Sequence, residues 1–168
     1  MRRLDMNIRE LQGEADRRAL RECVVELQDF ERQIDARMPH GEAIADSYID
    51  EMMARCDASR GKILVADVDG EVGGYVTVLT RVRSGELDDG DIEYGLIADL
   101  LVRARHRGAG MARKMLQAAE AVATQHGVRW LRITVLAANR VARELYASSG
   151  YTELYVDFEK DLGDRACQ

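Results

Sequence analysis

Cysteine, proline and aromatic residues are scarce in this 168-residue chain: three Cys, one Pro and 5% aromatic. Cys23, Cys56 and Cys167 lie far apart with no ligand-like spacing. That argues against a disulfide framework or a zinc site and fits a reducing compartment. Few aromatics and a formal net charge of −6 are a poor match to nucleic-acid binding. No apolar run approaches the ~18 residues of a membrane span. The start, Met1-Arg2-Arg3-Leu4-Asp5, lacks the apolar core of a signal peptide, so a cytoplasmic protein is expected. No repeat, low-complexity tract or linker divides the sequence, so residues 1–168 read as one domain with a sizeable core.

Charge is plentiful but uneven. Residues 1–101 carry 13 Lys/Arg against 23 Asp/Glu, a balance of −10; residues 102–168 carry 11 against 7, a balance of +4. Between 102 and 143 nine basic residues face Glu120 alone. Such asymmetry is either a solvated helix face or a sign of two differently charged partners.

The hydrophobic pattern predicts β-α-α-β-β-β-α-β-α-β, an α/β fold with a mixed sheet and helices on its faces. Residues 7–11 read as a first strand. A helix starting at or before Asp16 carries Leu20, Cys23, Val24, Leu27 and Ile34 at helical spacing. Met38-Pro39-His40-Gly41 breaks it, and a second helix follows with Ile44, Tyr48, Met52 and Cys56 on one side. Residues 62–67 and 73–82 form a hairpin, with Val76, Val78, Thr80 and Val82 expected on one face. The central strand runs from Ile92 to Val102. Met111, Met115, Ala118, Ala119 and Val122 mark a third helix, ended by Gly127. A strand at 130–136, a short helix at 139–149 and a last strand at 151–158 complete the order.

Between the central strand and the third helix lies Arg107-Gly108-Ala109-Gly110-Met111-Ala112. Strand, glycine turn, helix is a layout that binds phosphate, because first-turn amides lack internal acceptors and the helix dipole is positive there. A P-loop is excluded by the missing Gly-Lys-Ser/Thr ending. A dinucleotide fingerprint is excluded because Arg113 stands where a third glycine or alanine is required. The remaining pattern, Arg-x-x-Gly-x-Ala, resembles the acyl-CoA pyrophosphate loop of the GCN5-related N-acetyltransferase (GNAT) superfamily. Downstream, Asn139-Arg140-Val141-Ala142-Arg143-Glu144-Leu145-Tyr146-Ala147-Ser148-Ser149-Gly150-Tyr151 resembles that superfamily's Asn-x-x-Ala-x-x-Leu-Tyr-x-x-x-Gly-Phe signature, with Tyr151 in place of Phe. The element order matches the GNAT fold, a mostly antiparallel mixed sheet flanked by helices.

The resemblance implies an acetyl-CoA-dependent N-acetyltransferase without a metal. The pyrophosphate would rest on the amides of Gly108, Ala109, Gly110, Met111 and Ala112, with Arg107 orienting it. The central strand would bulge and splay from the next, and pantetheine would pair with its free edge. That puts the thioester near Leu100, Leu101 and Val102, where a backbone N–H polarises its carbonyl. Arg140 or Arg143 would meet the ribose phosphate, on charge alone. Tyr146 matches the tyrosine that donates a proton to the leaving sulfur, although helical spacing by itself reads it as core. Asn139 binds the cofactor arm, caps the helix, or does both.

For the base, Glu93 and Asp99 lie six residues apart, on one face of a regular strand unless a bulge intervenes. Asp99 is preferred, since relatives carry an acid three residues before the position of Val102; each carboxylate could equally be solvated or salt-bridged. Glu31, Asp35, Glu42, Asp46, Asp50, Glu86, Asp88, Asp89 and Asp91 would form an acidic rim around the acceptor, favouring a cationic small-molecule or peptide amine. Two rivals stand beside this reading: a non-catalytic acyl-CoA sensor on the same fold, and an unrelated nucleotide-binding module. Many GNAT relatives dimerise, so the resemblance admits a homodimer.

Overall fold

Five strands in the order β1-β2-β3-β4-β5 make one sheet. The structure, a computed structural model, describes residues 6–163. The N-terminal residues read above as lacking a signal sequence, and Cys167, lie outside the described residues. The strands are β1 (Met6–Glu10), β2 (Lys62–Val68), β3 (Glu71–Arg83), β4 (Glu93–Val102) and β5 (Leu131–Ile133). The helices are α1 (Gly13–Ile34), α2 (Gly41–Ser59), α3 (Met111–Gln125) and α4 (Arg140–Ser148). This is the predicted order through α4. β1 to β4 pair antiparallel, and β5 joins β4 in parallel.

Each face of the sheet has its own core. Leu20, Cys23 and Val24 of α1 and Ala45, Ile49, Met52 and Cys56 of α2 pack with Val65, Tyr75, Leu79 and Leu101. Met111, Met115, Leu116, Ala119 and Ala123 of α3 pack on the other face with Val76, Val78, Ile97 and Val102. α1 and α2 approach closely because Gly41 has no side chain: a Cβ there would lie 2.6 Å from the Val25 carbonyl oxygen. The β2–β3 turn has positive φ at both Asp69 (52°) and Gly70 (87°), the backbone of a two-residue type I′ hairpin that suits strand twist. Cys23 and Cys56 are buried free thiols.

Three expectations need correction. Val82 packs with the α1/α2 core rather than beside Val76 and Val78, because the β3–β4 register shifts between Leu79 and Val82 and reverses the alternation. β5 is three residues long, not seven, because it diverges from β4 beyond Ile133. The segment expected as a final strand, 151–158, has no ladder partner among the described residues, and its Leu154, Tyr155, Val156 and Phe158 are exposed.

Candidate active site

A single extra residue in β4 shapes the site. Thr77 pairs with Asp99, but the next residue, Val78, pairs with Ile97, so Ala98 is a bulge. A regular strand alternates faces. Here Ile97, Leu100 and Val102 face α3, Leu101 faces α1 and α2, and Ala98 and Asp99 both turn to the α1/α2 side. The same bulge parts β4 from β5, whose pairing stops at Ile97–Ile133. In the gap lies a cavity of about 130 Å³, lined by Ala98, Asp99 and Leu100 on one side and Ile133, Thr134 and Val135 on the other. Asn139 and Tyr146 of α4 close it, with Gln28 and Glu31 of α1, Tyr48 of α2 and Tyr75 of β3.

The cavity unites Asp99, Leu100, Asn139 and Tyr146 from the predicted set. Asp99 is 6% exposed. The Tyr48 hydroxyl donates to its Oδ1 at 2.6 Å, and Oδ2 has no partner among the described residues. Burial pushes the Asp99 carboxyl above the usual carboxylate range, since water no longer stabilises the charge. The hydroxyls of Tyr48 and Thr77 pull the other way, Thr77 without reaching hydrogen-bond geometry, and Arg55 adds a weaker opposing charge. Burial also raises Glu31, and the negative charge of Asp99 raises it further. Tyr146 is pushed up to about 12 by burial, with Glu31 contributing, and its ring leans on Tyr151 at 6.2 Å. It is therefore a phenol, a proton donor, at neutral pH.

Glu93 is not in this group. It sits at the open end of β4, held at 3.0 Å by Arg81 and 3.2 Å by Arg83, and those guanidiniums keep its carboxyl low. The six-residue spacing that would align it with Asp99 is broken by the bulge at Ala98. Leu101 and Val102 are buried side chains of the two cores, contributing backbone rather than side-chain chemistry. Asn139 caps α4, accepting from the Ala142 N–H at 3.2 Å, and lines the cavity as well.

The glycine turn fits an anion. The first backbone hydrogen bond of α3 runs from Lys114 N–H to Gly110 O, and the amides from Gly108 to Arg113 find no protein acceptor among the described residues. Gly108 (φ 84°) and Gly110 (φ 74°) hold left-handed conformations, and a Cβ at either would meet nothing within 4 Å, so the turn faces open space. Arg107 folds back instead: its Nε donates to Val102 O at 3.0 Å, and it pairs with Glu26 at 3.2 Å. It anchors the turn to β4 and α1. Arg143 is likewise engaged, by Glu153 and the Ala137 carbonyl.

Of the acidic rim, only Glu31 lines the cavity. Asp50 pairs with Arg17, and Glu42 and Asp46 pair with Arg21, on the outer face where α1 meets α2. Asp35 pairs with Arg37, and Asp91 with Arg83. Sequence reasoning missed the polar role of Tyr48. A tyrosine within the apolar stripe of α2 was the available signal, and it was read as part of that stripe.

The sequence model of a family described as the acetyltransferase (GNAT) family matches residues 25–151. A Bacillus subtilis (strain 168) protein named as the uncharacterized N-acetyltransferase YhfO is 29% identical over 102 residues; the match spans 61% of this chain and 66% of that protein, just under two thirds of it. Among solved structures, a tetramutant of the BH1408 protein from Bacillus halodurans superposes with a TM-score of 0.78 at 20% identity, covering 93% of this chain and 99% of that one. The aminoglycoside N-acetyltransferase AAC(6')-Iy in complex with CoA superposes at 0.67 and 16% identity, covering 96% and 97%. A ribosomal-protein-alanine N-acetyltransferase from Brucella melitensis biovar Abortus 2308 superposes at 0.61 and 17% identity, covering 95% and 99%. At these identities the structures establish a shared fold.

A stability test follows from the buried carboxyl. With its pKa raised in the folded state, Asp99 binds a proton more tightly there than in the unfolded chain. Its ionisation therefore costs stability increasingly as pH rises from the unfolded value, ~4, through the folded one. Asp99→Asn should accordingly stabilise the protein in urea at pH 8, with the gain shrinking towards zero near pH 4. A gain that does not vary with pH would contradict the buried, desolvated carboxylate.

Proposed function

Because this chain belongs to the GNAT acetyltransferase family, we propose that it transfers the acetyl group of acetyl-CoA directly to a primary amine, with both substrates bound together. The observation that carries this reading is the meeting of a buried carboxylate, Asp99, and a protonated phenol, Tyr146, on one cavity between splayed strands. The unpaired amides of residues 108–113 and the dipole of α3 are suited to the diphosphate. The β4 edge beyond Ile97, freed from β5, offers backbone groups from Ala98 to Val102 to an extended pantetheine arm. When bound, acetyl-CoA supplies the activated thioester.

The chain's own groups then divide the proton work. Asp99 takes a proton from the acceptor ammonium, directly or through one water, since only the neutral amine attacks. A backbone N–H near Leu100 to Val102 stabilises the oxyanion. Tyr146 gives its proton to the departing sulfur. These two groups favour an enzyme over a passive acyl-CoA sensor. The acceptor is an amine of a small molecule or a peptide; two fold neighbours are named for an aminoglycoside and for a ribosomal-protein alanine. We place the activity in the cytoplasm, where the Cys23 and Cys56 thiols stay reduced.

The assembly we propose is a homodimer formed through the 151–162 segment. It pairs with no strand among the described residues, Phe158 is 95% exposed, and Leu154, Tyr155, Val156 and Leu162 are exposed beside it. β5 is an edge strand of three residues. A segment with exposed apolar side chains and an open sheet edge are complementary between two copies of one chain.

Tyr146→Phe should lower kcat for acetyl transfer about 10²-fold while changing acetyl-CoA affinity little; unchanged kcat would remove its acid role. By sedimentation velocity the protein should be dimeric at micromolar concentration and Phe158→Asp should shift it to monomer; a monomeric parent protein would remove the dimer.

A further inference from the structure

Arg132 of β5 differs from the arginines around it. Arg37 pairs with Asp35 and Glu159, Arg143 with Glu153, and Arg81 and Arg83 with Glu93. Arg132 is half-buried, yet it has no carboxylate partner and no hydrogen-bond acceptor among the described residues. Two aromatic rings hold it instead. Its guanidinium carbon lies 3.9 Å from the centre of the Tyr94 ring and 5.8 Å from that of Tyr155. The Tyr155 hydroxyl donates to Asp89 Oδ1 at 3.3 Å, which ties the second ring to the 87–89 turn. Stacking engages the flat face of a guanidinium and leaves the N–H donors around its edge for a planar oxyanion. The sheet places this group beside the reactive cavity. Arg132 pairs with Leu96 in the β4–β5 register, and Leu96 and Ala98 both pack towards α1 and α2. Paired residues on neighbouring strands share a face. Arg132 therefore lies on the side of the sheet that carries Asp99, two residues before Thr134 of the cavity wall. Two strand residues span about 7 Å.

We propose that Arg132 is a receptor for a carboxylate on the acceptor molecule, remote from the nitrogen that is acetylated. Resting on the acyl-transfer reading, this assignment gives the acceptor a second recognised group and makes Arg132 a specificity residue. The acceptor class is an amino carboxylate whose two ends are parted by a flexible stem, long enough to reach from the cavity to the Tyr94–Arg132–Tyr155 cluster. A carboxylate matches the guanidinium fork with two parallel hydrogen bonds. One negative charge suits the place better than two, because Asp89 beside Tyr155 and Glu31 in the cavity wall add negative charge of their own. A lysine at 132 would keep the charge but lose both the fork and the flat stacking surface.

The test uses the full chain saturated with CoA, titrated by calorimetry with 6-aminohexanoate, n-hexylamine and 5-aminopentyl phosphate. All three share a primary amine and a stem of similar length. Saturable binding of 6-aminohexanoate is expected, at least about tenfold tighter than n-hexylamine, the value of roughly one charge-assisted hydrogen bond. Arg132→Gln should abolish that preference while leaving the affinities for n-hexylamine and CoA in place, a separation that a merely structural fault would not give. Arg132→Lys should restore part of it. In steady state with acetyl-CoA, Arg132→Gln should raise the KM for 6-aminohexanoate about tenfold with little change in kcat. Arg17→Gln, which removes one positive charge from the outer face of α1, is the control and should change neither. Equal affinity for 6-aminohexanoate and n-hexylamine, or a preference that survives Arg132→Gln, would overturn the receptor and leave acetyl transfer standing. Tighter binding of 5-aminopentyl phosphate would overturn the carboxylate class. Failure of CoA itself to bind would instead overturn the acyl-transfer reading beneath it.

Discussion

One residue too many in β4 determines the geometry of this site. The bulge at Ala98 reverses the alternation of the strand, so that Asp99, which would otherwise point towards α3, turns beneath α1 and α2. It also separates β4 from β5 after three residue pairs. The cavity, its carboxylate and the free strand edge are consequences of that single irregularity. Bulges recur where a strand must re-aim a side chain.

The arrangement sets function against stability. A carboxylate shut away from water, with one of its oxygens unpaired among the described residues, opposes folding wherever it is ionised. The neighbouring groups reduce that cost without removing it: the Tyr48 hydroxyl, weaker help from Thr77 and the distant charge of Arg55. What remains is a group with raised proton affinity beside Tyr146, a phenol that keeps its proton at neutral pH. Two groups with opposed proton roles on one cavity are what acyl transfer to an amine requires. The remote end of the site relies on the backbone. Amides from Gly108 to Arg113 have no acceptor among the described residues, while Arg107, tied to Val102 O and Glu26, holds the turn in place.

Much of this was legible in the chain. The periodicity of α1 and α3, the hairpin of β2 and β3, the glycine turn before α3 and the Asn139 cap all follow from local rules, and the structure has them; in α2 the buried side is led by Ala45 and Ile49 rather than Ile44 and Tyr48. Partnership across the sheet was not legible. The spacing of Glu93 and Asp99 is a regular-strand argument, and a bulge one residue from Asp99 defeats it. Val82 was misassigned for the same reason, one register shift away. Of the carboxylates expected around the acceptor, Glu42, Asp46 and Asp50 find arginines on the adjacent helix, which composition alone does not reveal. The segment 151–158 has the alternation of a strand, yet it pairs with no strand among the described residues. Tyr48 looked like packing because a hydroxyl within an apolar stripe has meaning only once its partner is known.

The central claim is that the bulged edge of β4 and the exposed amides before α3 together receive one ligand. A backbone amide NMR map recorded while coenzyme A is added tests it most directly. The account expects saturable shifts concentrated at residues 108–113 and at Ala98 to Val102, with α2 and β1 little changed. Saturation with shifts confined elsewhere, or no shifts at all from the folded protein, would contradict it.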